Sequence, residues 1–259
     1  MKQNSHELKQ IILTKKTNLI LSLDVTNVID FFSILNDCKD FICGVKLHLD
    51  CYGFLTPATF SVLFNLAKQH NFIIIEDRKF ADIGNTNRLQ ATEFMNKGFH
   101  YFTSHMFMGK NALEHFPENC KVFLIADMSC KDSYFSNKID LNELLETTSG
   151  EYYDTIPNII GFVSQKNIKT KTEEYPLILR PGIKLQCSSN NTEDATEETT
   201  EDTTKDTTKD TMGQQYKVPE VYPGVCWVVG RNITQAQNPR LVAEQYKNLF
   251  CSQFTKWVR

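Results

Sequence analysis

Eight short runs of apolar and β-branched residues punctuate the chain: NLILSLDV (18–25), FICGVKL (41–47), FIIIED (72–77), FHYFTSH (99–105), KVFLIAD (121–127), NIIGFV (158–163), YPLILRPG (175–182) and VCWVVGR (225–231). Each is long enough for a strand buried on both faces. Between them, SVLFNLAKQH and RLQATEFMNK repeat their apolar positions at three- and four-residue spacing, and the chain closes with the helical pattern NPRLVAEQYKNLFCSQFTKWV. Alternating β and α elements predict a parallel sheet. Eight strands within one domain favour a closed (β/α)₈ barrel, the TIM-barrel fold, over an open doubly wound sheet.

One stretch breaks the pattern. Residues 190–211, NNTEDATEETTEDTTKDTTKDT, hold eight acids, two lysines and almost nothing apolar. Such a segment cannot bury enough surface to offset chain entropy, so a disordered low-complexity insertion after the seventh strand is expected within a single domain spanning 1–259. A docking segment for phosphorylation is the other use of such a tract.

Composition narrows the partners. The 259 residues are 41% apolar, enough for one sizeable core, and the formal charge is −3. No Lys/Arg stripe offers a footprint for nucleic acid, and no apolar stretch reaches transmembrane length. The N-terminal MKQNSHELKQIILTKK lacks a signal-peptide core. Eight cysteines show neither C-x-x-C nor Cys/His zinc spacing, which reads as free thiols in a cytoplasmic protein without a metal site. A small-molecule ligand is the expectation.

The candidate chemistry sits at strand ends. In EDRKFADIGNT, the two-residue period of a strand sends Asp77 and Lys79 to the same side, and Asp82 follows in the loop. Lys46 ends the second run and Asp24 the first. In a barrel these ends share one rim, where such enzymes place their chemistry. Interleaved carboxylates and ammonium groups keep one another charged, and an ammonium so placed can protonate a developing carbanion. A carboxylate facing a substrate carboxylate would oppose it and favour its departure as CO₂. Decarboxylation is the reaction suggested, and a structural ion-pair network is the alternative reading. At the other end of the chain, RPG (180–182), GQQY (213–216) and VVGRNIT (228–234) fit phosphate binding by the loops after strands seven and eight, with Gly230 and Arg231 as the leading residues.

Taken together, TNLILSLDV, VKLHLD, EDRKFADIGNT, LIADMS, RPG, GQQY and VVGRNIT closely resemble the eukaryotic orotidine 5′-phosphate decarboxylase family, in the family's order from about residue 16 onward. The resemblance implies a homodimeric, stand-alone barrel that converts orotidine 5′-monophosphate to UMP and CO₂ with no cofactor. By position, Lys79 matches the lysine that protonates C6, and Asp77 the acid beside the substrate carboxylate. Lys46 and Asp24 match ribose contacts, Lys46 also lying within the charged network. Asp82 and Thr86 match residues that reach the neighbouring subunit's site. Ser129 matches the serine on the pyrimidine; Gln214, Tyr216, Gly230 and Arg231 match the phosphate grip, and Pro181 the base of the closing loop. Orotate phosphoribosyltransferase, fused to this domain in many animals, is a further partner to consider. A Mg²⁺-dependent sugar-phosphate decarboxylase or aldolase barrel, which shares Asp-x-Lys-x-x-Asp, and a non-catalytic nucleotide-binding scaffold are the competing functions. The chain departs from the family at Arg180, in place of a small polar residue, at SQKN (164–167), and in a shorter stretch between Thr86 and His105. These departures bear on loop dynamics and affinity more than on reaction type.

Overall fold

A computed structural model describes residues 5–130, 139–168, 170–171, 175–185 and 216–258. The 190–211 tract and Gln214 lie outside them. The eight runs become eight parallel strands: β1 Leu19–Ser22, β2 Gly44–Leu47, β3 Ile73–Phe80, β4 Tyr101–His105, β5 Lys121–Ile125, β6 Ile159–Val163, β7 Leu177–Pro181 and β8 Val225–Val229. They pair in sequence order, and β8 closes on β1 through Ile20 opposite Val228. Nearly every strand residue is buried, which is why the runs read as continuous apolar stretches. Gly161 in β6 is required by packing: a Cβ there would stand 2.1 Å from the Leu177 carbonyl oxygen of β7.

The described helices are α1 His6–Lys15, α2 Val28–Cys38, α3 Pro57–His70, α4 Gly84–Asn96, α5 Lys110–Glu114, α6 Ile139–Thr155, α7 Arg231–Thr234, α8 Pro239–Ser252 and α9 Phe254–Val258. Their starts follow from local chemistry. Asn27 accepts from the Ile29 and Asp30 N–H groups at the head of α2, and α3 opens with a Thr56/Thr59 capping box and Pro57. The closing pattern splits at Gln253 into α8 and α9.

α1 crosses the amino-terminal end of the barrel. It buries Leu8, Ile11 and Ile12, while Glu7 accepts from Tyr101 and Lys121 at the starts of β4 and β5. At its other end the Lys15 ammonium donates to the carbonyls of Lys39 and His70, which follow α2 and end α3.

Among the described residues no helix occurs after β6 or β7, and the turn at 164–167 braces β7 through Gln165 and Asn167. One expectation is corrected: strand ends shift, since β1 stops at Ser22 and leaves Asp24 two residues into the loop, while β3 runs on through Phe80.

Candidate active site

The carboxyl ends of β1, β2 and β3 bring the expected charges together. Asp77 is the hub. Its Oδ2 lies 2.7 Å from the Lys46 Nζ, 2.8 Å from the Lys79 Nζ and 3.1 Å from His48 Nε2. Its Oδ1 accepts from the Thr103 hydroxyl at 2.7 Å. Burial alone would raise this carboxyl, but Lys46, the His48 bond and Lys79 outweigh it and hold Asp77 well below the usual carboxylate range. Asp24 extends the network outward, accepting from His48 Nδ1 at 2.8 Å and from Ser22 at 2.8 Å. Burial opposes its charge, and the His48 bond, Lys46 and Ser22 bring it down to about 2. The bonds to Asp24 and Asp77 in turn raise His48, against burial and Lys46. One deeply buried carboxylate therefore sits among two ammonium groups and an imidazole.

The backbone under this cluster is irregular. Glu76 pairs with Phe102 and Phe80 with Ser104, so Asp77, Arg78 and Lys79 of β3 stand against Thr103 alone. Lys79 has φ 52°, in the left-handed region that a lysine rarely adopts, at a cost of about 1–3 kcal/mol. Its N–H, displaced from the regular ladder, donates to the Thr103 Oγ1 at 3.0 Å. The simple period of two thus does not account for how Lys79 reaches Asp77. A bulge does.

Glu76 faces the other way. It is fully buried, and the Leu49 N–H at the 3₁₀ turn Leu49–Cys51 donates to its carboxyl at 3.1 Å. Burial pushes it up to about 8, against that bond and His48. Glu76 is accordingly protonated at neutral pH and props the turn that follows Lys46 and His48.

These groups line one wall of a cavity of about 730 Å³. From β7, β8 and the segments that follow them come Pro181, Gly182, Tyr216, Gly230 and Arg231, with Gly230 beside Ser22 of β1, and Ser129 and Cys130 complete the lining. The Arg231 guanidinium lies 5.9 Å from the Tyr216 ring centre, and the Lys184 ammonium 5.6 Å from it. The two stems of the loop between β7 and β8 run side by side here: Lys217 N–H donates to the Gly182 carbonyl and Lys184 N–H to the Lys217 carbonyl. Leu185 N–H then meets Tyr246 and Asn232.

Of the residues singled out in the sequence, Asp24, Lys46, Asp77, Lys79, Ser129, Pro181, Tyr216, Gly230 and Arg231 share this cavity. Asp82 and Thr86 do not line it: Asp82 is exposed between β3 and α4, its carboxylate accepting from the Ile83 N–H. Arg180 also stays out. It is buried on the other side of β7, donating to Asn167 at 2.7 Å, while Gln165 donates to the Pro181 carbonyl at 2.8 Å. The two departures at Arg180 and at 164–167 are thus one contact. Thr103 was not singled out in the sequence, and His48 plays the part expected of a lone histidine near a strand end, a hydrogen-bonded neighbour, here of Asp24 and Asp77. His48 was within reach, since it follows Lys46 by two residues and shares its side of β2; a threonine inside an apolar strand carries no comparable signal.

A closed parallel barrel with a charged cavity at the carboxyl ends of its strands defines an enzyme of the (β/α)₈ class. The particular lineage is also plain: the chain belongs to the Orotidine 5'-phosphate decarboxylase / HUMPS family, whose model matches residues 17–246. The chain is 27% identical over 251 residues to the orotidine 5'-phosphate decarboxylase of Aureobasidium pullulans, covering 93% of this chain and 84% of that protein. It is 31% identical over 194 residues to the Candida tropicalis enzyme of the same name, covering 70% of each. Among solved structures, the orotidine 5'-monophosphate decarboxylase of Methanocaldococcus jannaschii, complexed with the inhibitor BMP, superposes with a TM-score of 0.63 at 20% identity. That match covers 90% of this chain and 98% of the archaeal one, and supports the fold.

Proposed function

We propose that this enzyme decarboxylates orotidine 5′-monophosphate to UMP and CO₂, the last step of de novo pyrimidine synthesis. The observation that carries the reading is a buried aspartate held charged between two lysines at the barrel rim, in a chain of this family. In this reaction the electrons of the departing carboxylate remain on an sp² carbon in the ring plane, where the ring delocalises them poorly. Catalysis then rests on preorganised charge and a proton at hand. Asp77 opposes the substrate carboxylate and is relieved as neutral CO₂ leaves. Lys79 delivers its proton to C6 as the C–C bond electrons collapse onto that carbon, and Lys46 keeps the pair ordered. Asp24 and Lys46 hold the ribose, Ser129 the pyrimidine, and Gln214, Tyr216, Gly230 and Arg231 the phosphate, with Pro181 at the base of the loop. Phosphate contacts remote from C6 supply binding energy that orders the charged rim.

The test is spectrophotometric: absorbance of orotidine 5′-monophosphate lost on conversion to UMP, with and without EDTA. Rapid turnover indifferent to EDTA is expected. Metal-dependent turnover, or none, would overturn the reading in favour of a sugar-phosphate barrel or a binding scaffold.

The same reading makes the working unit a homodimer in which Asp82 and Thr86 complete the partner's site. Their position outside the cavity of their own subunit supports it, as does Ile83, an apolar neighbour of Asp82 left 68% exposed. Mixing inactive Lys79→Ala and Asp82→Ala subunits should restore part of the activity through one intact site per mixed dimer. No recovery despite proven subunit exchange would rule out the shared site.

A further inference from the structure

We propose that Thr103 is a positioning residue for this reaction, one hydroxyl that sets both the carboxylate of Asp77 and the irregular backbone of Lys79. The inference rests on the decarboxylase reading for its chemistry and on the β3–β4 geometry for its substance. Thr103 is fully buried in β4, beneath the cavity and not among its lining residues. Its role is therefore exerted through the two residues above it.

A hydroxyl has one proton to donate and two lone pairs to accept with. Thr103 gives its proton to the Asp77 Oδ1 at 2.7 Å and receives the Lys79 N–H at 3.0 Å. The first bond acts on rotation of the carboxylate. With Oδ1 tied to β4, Oδ2 alone is turned toward Lys46, Lys79 and His48. Without the tie, the carboxylate is free to share both oxygens among the cations, and its separation from the Lys79 ammonium is no longer set. The second bond acts on the backbone. Three residues of β3 occupy the span of Thr103 alone, and the left-handed Lys79 needs a partner for an amide that the ladder cannot serve. The next residue of β4 also faces the bulge: the Ser104 hydroxyl lies 3.2 Å from the Phe80 carbonyl and 3.0 Å from the His105 carbonyl, its one proton available to either. A side-chain hydroxyl of β4 thus replaces a bond that the bulge removes at Lys79. Both consequences meet at the Lys79 Nζ, whose aim is the quantity the reaction depends on.

The experiment compares the full-length wild type with Thr103→Val, which keeps the shape and removes the hydroxyl, and Thr103→Ser, which restores it. Turnover of orotidine 5′-monophosphate, UMP affinity by calorimetry and the thermal midpoint are read for each. Thr103→Val should lose about 10²-fold in kcat, the scale of a misplaced reacting group. UMP affinity should stay within about threefold, because the proposed phosphate contacts follow β7 and β8, whereas Thr103 acts on β3. Thr103→Ser should recover most of kcat. The proposal is overturned if Thr103→Val keeps wild-type kcat, if kcat and UMP affinity fall together, or if Thr103→Ser fails to recover. Should Thr103→Val not fold, Thr103→Cys, a weak donor of similar size, takes its place, and equal activity of Cys and Ser variants overturns the claim. A wild type without turnover overturns the functional reading; an active wild type with an indifferent Thr103→Val overturns this one alone.

Discussion

The rim formed by β1–β3 and the wall formed by β7 and β8 face one cavity but are held in different ways. On the first, side chains fix side chains: Asp77 accepts from Lys46, Lys79, His48 and Thr103, and Asp24 from His48 and Ser22. On the second, main-chain bonds enter as well. Gly182, Lys184 and Lys217 join the loop stems by main-chain bonds, and Arg231 and Lys184 flank Tyr216. The difference separates two tasks. On the proposed reading, charges that act on the reacting carbon are locked before any ligand arrives, whereas the groups that would grip a phosphate sit at loop ends.

That division can be broken by mutation. Lys79→Ala should lower kcat by about 10³-fold or more while UMP binding is largely kept, since it removes the proton donor and leaves the grip intact. Turnover and calorimetry on the same preparation decide it. Arg231→Ala should act in the opposite sense, raising KM by about 10- to 100-fold through loss of a charge-assisted bond, with a smaller change in kcat. Should Arg231→Ala instead cost kcat as heavily as Lys79→Ala, the two walls are not separate in function.

The smallest effect sharpens the view of the rim. Glu76, raised to about 8, binds a proton in the folded state that the unfolded chain has already released above about pH 4.5. Its stabilising share is full below that pH and is lost as pH rises through 8. Glu76→Gln keeps an acceptor for the Leu49 N–H and removes this loss. Its melting midpoint should match the wild type at pH 5 and exceed it by roughly a few degrees at pH 9. Equal midpoints at both pH values would show that the buried carboxyl does not couple to folding.

Much of this was legible in the sequence, for a physical reason. Strands covered on both faces must be apolar throughout, so eight runs and their order announced the barrel, and charges at the ends of β2 and β3 stood out against them. What was hidden depends on geometry that no local pattern records. Lys79 reaches Asp77 through a bulge and a left-handed residue, and Thr103 acquires its part only because that bulge lies opposite it. The contact between β7 and the 164–167 turn was obscured similarly. Arg180 and Asn167 lie 13 residues apart in sequence, and each looks like an isolated oddity until their 2.7 Å contact is seen.

The helix laid across the amino-terminal end gives the barrel a direction of traffic. With Leu8, Ile11 and Ile12 of α1 buried at that end, the interior has a floor, and the charged cavity lies at the strands' carboxyl ends. A nucleotide gripped by its phosphate would stand in that cavity with its base inward. The gas released behind it would then share with the nucleotide the end of the barrel that α1 does not cover.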